Sequence, residues 1–235
     1  MNENAFSGLL SGSSESKLQA YVQLYDTVEA NTTYYAIPKL TTAQKWKRES
    51  ETVNKDFEFT VKAFQGITHA DRFGIRSRFY LTELSAICTA LGARILLFQS
   101  PANFHPTEAN IRKLRSFFQS AERGMLLFAW EPRGIWYDDP AMIAGLCREL
   151  DLIHCVDPFR NDPVFFGTRG VAYFRLHGFG RPNFYHYTFS SGELERLSSM
   201  IAALPESVHQ TYVMFNNANC YQDAGAFSRI VTVQR

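Results

Sequence analysis

Almost every apolar run that predicts a β-strand ends in a polar or charged residue. In a (β/α) barrel the carboxyl ends of the strands gather on one face, so residues that are far apart in the sequence meet there. The pattern therefore predicts an α/β protein, a TIM-type (β/α)8 barrel whose strand ends form a polar rim. The rim residues are Glu29, Asn31, Lys62, Gln99, Glu131, Asp157, Arg175, His177 and Asn216.

Seven apolar runs alternate with segments of helical character, which is typical of repeated βα units around a parallel sheet. A closed barrel of this type has eight strands, and residues 5–10 are the candidate for the first, which is predicted to be degenerate or missing. Ser190 with Glu193 three residues later is a capping-box signal for a helix start. The predicted strands are residues 27–33, 57–64, 94–99, 125–131, 153–157, 171–177 and 211–216. The predicted helices are residues 17–24, 42–53, 79–91, 107–121, 140–150, 190–203 and 222–231.

The length and the net charge limit the classes of protein to which this chain can belong. The chain has 235 residues, 46% of them apolar, and we expect one domain over residues 1–235 with a poorly defined N-terminal segment at 1–16. The formal net charge is +1, so any affinity for nucleic acid must come from a local patch. No run reaches the roughly 20 apolar residues that span a bilayer, and residues 1–16 lack the basic stretch followed by an apolar stretch that is typical of a signal peptide. These features predict a cytoplasmic protein with no membrane partner.

The cysteines have no metal-site or disulfide spacing. They are Cys88, Cys147, Cys155 and Cys220, and they lie among apolar neighbours without a CxxC pair. This pattern favours reduced thiols in the core over a disulfide framework.

Side chains alternate between the two faces of a strand, so a barrel strand sends one set toward the helices and the other inward. On the run 57–63 this rule leaves Lys62 facing inward, and on the run 171–177 it leaves Arg175 and His177 inward. Buried charges need partners, so Lys62 and Arg175 are expected to meet carboxylates or an anionic ligand. The residues expected to pack on the helices are Phe57, Phe59, Val61, Ala63, Ala172, Phe174 and Leu176.

Seven short motifs follow one another along the chain. They are VEANTTYY from residue 28, FTVKA from 59 with ITH from 67, LFQSP from 97, WEPR from 130 with WY from 136, VD from 156, YFRLHG from 173 and YVMFNN from 212. In this order they resemble the signatures of the YecE-like proteins, the domain of unknown function 72. The resemblance runs from about residue 17 to the C-terminus, and it implies a TIM barrel without an established activity. The Gly-Thr-x-Gly-Trp stretch expected on the family's first strand is absent before Lys17.

Two hypotheses concern the chemistry of the rim. In the first, Glu131, Asp157 and His177 end three consecutive strands and bind one divalent metal through mixed oxygen and nitrogen donors. The alternative for the same residues is an ion-pair network at the barrel mouth. In the second hypothesis no metal takes part, and carboxylate, imidazole and amine groups perform acid–base chemistry. The predicted catalytic residues are Glu29, Lys62, Glu131 and His177.

The predicted function is the binding of a small anionic or polyhydroxylated molecule, phosphorylated or sugar-like, at the strand ends. A hydrolase, lyase or isomerase is the corresponding enzyme hypothesis. The alternative is a nucleotide or single-stranded nucleic-acid binding protein without catalysis, because the loops after the strands are rich in arginines and aromatic rings that stack on bases. The predicted substrate-binding residues are Asn31, His69, Gln99, Arg133, Trp136, Arg175 and Asn216. The loop residues behind the alternative are Arg133, Arg160, Arg169, Arg181, Trp136, Tyr137, Phe159, Phe184, Tyr185 and Tyr187.

Overall fold

The computed structural model describes residues 16–180 and 186–233, and within these ranges strands and helices alternate along the chain, except that residues 157–170 connect two consecutive strands without a helix. The strands, which neighbour one another in chain order, are β1 (Thr27–Ala30), β2 (Glu58–Lys62), β3 (Ile95–Gln99), β4 (Leu127–Glu131), β5 (Leu152–Val156), β6 (Val171–Leu176) and β7 (Gln210–Phe215). The α-helices are α1 (Lys17–Val22), α2 (Thr32–Tyr35), α3 (Leu40–Glu51), α4 (Ser77–Leu91), α5 (Glu108–Gln119), α6 (Pro140–Leu150), α7 (Ser191–Ala202) and α8 (Cys220–Val233). A π-helix, Gly66–Ala70, follows β2, and a 3-10 helix, Gly134–Asp138, follows β4.

All seven predicted strands and all seven predicted helices are present. The first strand is shorter than predicted, because the chain turns into α2 after Ala30 and the Thr33 hydroxyl donates to the carbonyl oxygen of Lys62 at 2.7 Å. The fourth strand begins at Leu127 rather than at Met125, whose side chain is 89% exposed. The candidate strand at residues 5–10 lies outside the described residues.

Internal contacts divide the chain into two compact units, and the single domain expected from the sequence stays a prediction. In the described part of the chain the first unit comprises residues 16–128 and 133–135. Its strands β1, β2 and β3 pair in parallel. The apolar set predicted to pack on the helices from β2 is buried, at 3% exposure or less. Aromatic rings form much of this unit's core, with centroids 5.0 to 6.4 Å apart, and they belong to Phe73, Phe98, Phe104, Phe117, Phe118 and Phe128.

The second unit comprises residues 129–132, 136–180 and 186–233 of the described chain. Strands β5, β6 and β7 pair in parallel. On β6, Phe174 packs with Ile201 and Leu204, while Leu176 belongs to the cluster with Leu194 of α7. The predicted parity of this strand is therefore confirmed, and Arg175 and His177 share the opposite face.

Burial also bears out the interpretation of the cysteines. The four cysteines, all of which lie in the described part of the chain, form no disulfide; Cys88, Cys147 and Cys155 are buried, and Cys220 is partly buried. Burial raises the pKa of Cys88 and of Cys147 to about 12, so neither thiol is a nucleophile near neutral pH. In the part of the chain that is described, no helix has both the length and the apolar character needed to cross a membrane.

Candidate functional site

A buried ion pair joins two of the predicted rim residues in the second unit. Arg175 Nη1 donates to Glu131 Oε2 at 2.7 Å, and both side chains are almost fully buried. Buried charges are tolerated only when each has a partner. Here the alternation of side chains along each strand places the two partners on the same face. Glu131 and Arg175 therefore hold each other in fixed positions.

The imidazole of His177 lies between two carboxylates. Its Nε2 atom is 3.8 Å from Glu131 Oε1, and its Nδ1 atom is 3.6 Å from Asp157 Oδ2. The backbone N–H of His177 also donates to Asp157 Oδ2 at 3.1 Å. Imidazole is the side chain that enzymes use most often for proton transfer, and carboxylates on both sides orient the ring. This arrangement has the parts of an acid–base site.

Asp157 is held by the loop that follows β5. Its Oδ1 atom accepts a hydrogen bond from the backbone N–H of Phe159 at 3.1 Å, and Arg160 Nε lies 3.4 Å from Oδ2. Arg160 also donates to the carbonyl oxygen of Gly178. Gly178 has φ +84°, and a Cβ there would lie 2.4 Å from Tyr187 Cβ, so this position requires glycine. The Arg160 guanidinium thus ties the loop after β5 to the loop after β6.

The geometry does not favour the metal hypothesis for Glu131, Asp157 and His177. A metal ligated by these side chains needs three donor atoms that converge on one point. Here the two carboxylates face opposite nitrogen atoms of one imidazole. Among the described residues, no three His, Cys, Asp or Glu side chains are placed to hold a metal ion. The arrangement matches the alternative, an ion-pair network.

A second group of predicted site residues lies in the first unit, at the end of β2. Lys62 Nζ is 4.6 Å from the centroid of the Tyr34 ring, a cation–π distance. The Tyr34 ring lies edge-on to His69, with centroids 5.2 Å apart. His69 belongs to the π-helix, and its Nδ1 atom is 2.8 Å from the Thr68 hydroxyl. Lys62 and His69 were predicted from the sequence, and Tyr34 joins them.

Arg72 completes this group, which we call the cationic cluster (Lys62, Tyr34, His69 and Arg72). Its Nε atom donates to the carbonyl oxygen of His69 at 3.4 Å. Burial and the positive charges of Lys62, Arg72 and Arg133 hold the pKa of His69 below its ordinary value. Every charged group that shifts this pKa is a cation, so positive charge is concentrated around His69.

Other predicted residues have different surroundings. Trp136 is 1% exposed and packs edge-on against Trp130 at 4.9 Å between ring centroids. Its ring belongs to the core, and the expectation that it contacts a ligand is not supported, because no face is open for stacking. Glu29, Asn31, Gln99, Arg133 and Asn216 are partly buried at or just after the ends of β1, β3, β4 and β7.

The sequence interpretation missed Tyr34 and Arg72. Tyr34 was hidden because the first strand was predicted to continue to residue 33, where the structure has a helical turn. Arg72 has φ +48°, which is rare for a residue other than glycine, and no pattern in the sequence marks it.

The model of the family described as "Protein of unknown function DUF72" matches residues 8–233. The chain belongs to this family. It is 24% identical to the UPF0759 protein YunF of Bacillus subtilis, over 87% of this chain and 81% of that protein. The family match confirms the membership that the resemblance implied.

Solved structures of DUF72 family proteins share the fold. One from Enterococcus faecalis is 20% identical, with a TM-score of 0.77 over 97% of this chain and 91% of that one. One from Thermotoga maritima is 25% identical, with a TM-score of 0.72 over 92% of this chain and 87% of that one. The likeness confirms the predicted fold class, a TIM-type α/β barrel. In the residues described here the sheet has seven strands, one fewer than a closed TIM barrel has.

Proposed function

We propose that this DUF72 family protein binds a small anionic molecule, phosphorylated or sugar-like, at the carboxyl ends of its strands. The observation that supports the proposal is the cationic cluster, where Arg72 donates to the His69 carbonyl oxygen, Lys62 lies over the Tyr34 ring that contacts His69, and both cations lower the pKa of His69. In a chain whose net charge is only +1, such a local excess of positive charge attracts anions. Lysine and arginine donate charge-assisted hydrogen bonds to phosphate and carboxylate groups.

The test is calorimetric titration at low salt with inorganic phosphate, a hexose phosphate and the unphosphorylated hexose. We expect the two phosphates to bind, and Lys62→Gln to weaken them about 10- to 100-fold, the equivalent of one charge-assisted hydrogen bond. Lys45→Gln is the matched control, because that lysine lies on α3 with a 66% exposed side chain. Absence of phosphate binding at low salt, or equal weakening in the control, would refute the proposal.

A second candidate function is acid–base catalysis at His177. It is favoured by one observation, the placement of the imidazole between Glu131 and Asp157. With a panel of chromogenic phosphate esters and glycosides, we expect a turnover that His177→Gln lowers at least about 100-fold, the usual contribution of a general acid or base. Arg112→Gln on α5, where the side chain is 70% exposed, should leave this turnover unchanged. Equal rates in the wild type and His177→Gln would remove His177 from catalysis.

A further inference from the structure

The segment that connects the π-helix to α4 combines positive charge with exposed apolar side chains. Residues 69–80 contain three arginines and one aspartate. Two bulky apolar side chains in this stretch are open to solvent, Ile75 at 78% and Phe79 at 73%. Exposed apolar surface among cations is typical of an interaction surface. We call Arg76, Arg78 and Phe79 the α4 patch.

The turn before the α4 patch is held in one conformation. Arg72 and Phe73 both have positive φ, +48° and +60°, which costs free energy in residues other than glycine. The Asp71 carboxylate offsets this cost by accepting hydrogen bonds from the backbone N–H and the hydroxyl of Ser77 at 2.8 and 2.9 Å. The Phe73 side chain is 2% exposed in the aromatic core. Arg72 in the turn and the two arginines that follow it are therefore carried by a fixed backbone.

Contacts connect the cationic cluster to the α4 patch. Arg72 belongs to the cluster through His69, and Asp71 beside it lies 3.4 Å from Arg76 Nε. The Arg76 side chain remains 72% exposed, so this ion pair leaves most of its guanidinium accessible. The stretch from Arg72 in the cluster to Arg78 in α4 thus carries three cations, and the Asp71 carboxylate offsets part of the charge of Arg76.

Two exposed aromatic rings belong to the same unit as these arginines. Phe79 is exposed beside Arg78, and Tyr35 is 72% exposed with its ring edge-on to Tyr34 of the cationic cluster at 5.0 Å. Proteins that bind single-stranded nucleic acid combine a positively charged path for the phosphates with aromatic rings on which bases stack. The first unit supplies both components.

The depth of the cluster distinguishes a nucleic-acid strand from a membrane surface. A lipid headgroup layer would contact the exposed side chains of Ile75 and Phe79, but Lys62 and His69 are partly buried at the strand ends. A flexible strand can place one phosphate in the cluster and continue over the exposed arginines and rings. We infer that the anion bound by the cationic cluster is a phosphate of a single-stranded nucleic acid, whose neighbouring nucleotides lie on the α4 patch. This inference rests on the anion-binding function proposed above.

Fluorescence anisotropy with labelled oligothymidylates of about 4 to 16 nucleotides, the site sizes of single-strand binding folds, tests the inference. We expect affinity to rise with length and to fall as salt rises, because bound phosphates release counterions. Phe79→Ala should weaken binding about 5- to 100-fold, the loss of one stacked base, and Phe79→Trp should restore it. Arg78→Gln should lower the salt slope by about 1. The matched controls are Met125→Ala and Arg112→Gln, exposed residues of the same unit outside the cluster and the patch.

Inorganic phosphate separates the inference from the proposal on which it rests. Phe79→Ala should bind phosphate like the wild type, because Phe79 is outside the cationic cluster. Phosphate binding without any oligonucleotide binding at low salt overturns the inference and leaves the proposed function standing. Absence of both phosphate binding and oligonucleotide binding overturns the inference and the proposed function. Binding to vesicles that contain anionic phospholipid, without binding to oligonucleotides, assigns the patch to a membrane surface and also overturns the inference.

Discussion

At the scale of single residues, burial decides what a charged side chain does. Arg175 and Glu131 were both predicted to line the site, and the structure pairs them at 2.7 Å with almost no exposure. Removing one partner of a buried pair is strongly destabilising, because the other is left as an uncompensated buried charge. Arg160, in contrast, is 41% exposed while it contacts Asp157, so it remains accessible to solvent.

We expect Arg175→Ala to lower the free energy of unfolding by about 3 to 5 kcal/mol, because Glu131 keeps a buried charge without its guanidinium partner. Urea titration followed by circular dichroism measures this change. Arg112→Ala serves as the control, since its pair with Glu108 on α5 is exposed on both sides and should matter little. An unchanged unfolding midpoint for Arg175→Ala would contradict the expectation that this ion pair stabilises the fold.

His154 is a buried histidine outside the candidate site. Its ring is 1% exposed, Nδ1 accepts a hydrogen bond from the backbone N–H of Val164 at 3.2 Å, and Nε2 has no hydrogen-bond partner among the described residues. Burial, opposed by the charge of Glu131, lowers the pKa of His154 from 6.5 to about 4. The unfolded chain therefore binds a proton between these two values that the folded chain does not bind.

The stabilisation from neutral His154 is expected to be complete above pH 6.5 and to be lost as the pH falls toward 4. A shift of this size corresponds to about 3 kcal/mol. Urea unfolding at pH 7.5, 6, 5 and 4.5 measures it, and His154→Asn is the comparison because the amide oxygen can still accept from Val164. We expect the variant to lose less stability over this interval than the wild type. Parallel curves for the two proteins would contradict the expectation.

At the scale of elements, helix starts follow local hydrogen bonds. Ser190 accepts from the backbone N–H of Glu193 at 3.3 Å, and the Glu193 carboxylate accepts from the backbone N–H of Ser190 at 2.8 Å. This capping box was visible in the sequence as Ser and Glu three residues apart. Glu193 also accepts from the Tyr187 hydroxyl, which helps to raise the pKa of Tyr187 to about 12. The start of α7 is thus tied to the loop after β6.

Ser190→Ala is expected to cost about 1 kcal/mol of unfolding free energy, because the first turn of α7 loses its side-chain acceptor. Chemical denaturation compared with Ser191→Ala checks this, since Ser191 is exposed at the first helical position. A cost that is the same in both variants would mean that the hydroxyl of Ser190 does not stabilise the helix. Glu193→Gln offers a second comparison, because it keeps an acceptor for the backbone and removes the charge.

At the scale of the whole molecule, the average properties of the chain hide strong local differences. The net charge is +1, yet the charges of Lys62, Arg72 and Arg133 all lower the pKa of His69, and the segment from Arg72 to Phe79 contains three arginines. The apolar content is likewise uneven, because phenylalanine rings are concentrated in the core of the first unit. Phe98 is fully buried and contacts the rings of Phe73 and Phe128, among others.

Phe98→Ala should lower the free energy of unfolding by about 3 to 5 kcal/mol, since it removes a ring from a packed aromatic core and leaves a cavity. Thermal unfolding monitored by calorimetry measures the loss, and Met125→Ala is the control because that side chain is 89% exposed. A melting temperature within about 1 °C of the wild type would mean that the surrounding rings close the cavity, since a change of 1 kcal/mol moves the midpoint by several degrees.

The sequence by itself determined the seven strands, their alternation with helices and the face to which each side chain of β6 belongs. These features depend on the two-residue alternation of side chains along a strand and on local helix capping. Both leave a signal in the order of the residues. Lys62, Glu131, Arg175 and His177 could therefore be named as candidates in advance. Short-range geometry was harder, because the chain turns into α2 after Ala30, whereas the residue pattern predicted a strand that continues to residue 33.

Only the tertiary structure decided which side chains meet. It paired Arg175 with Glu131, set His177 between two carboxylates, brought Tyr34 and Arg72 to His69, and buried Trp136 against Trp130. Such meetings depend on distances of a few ångströms between segments that are distant in sequence, and on turns such as the positive-φ pair at Arg72 and Phe73. A residue pattern specifies on which face a side chain lies, whereas the packing of the whole chain specifies what it touches.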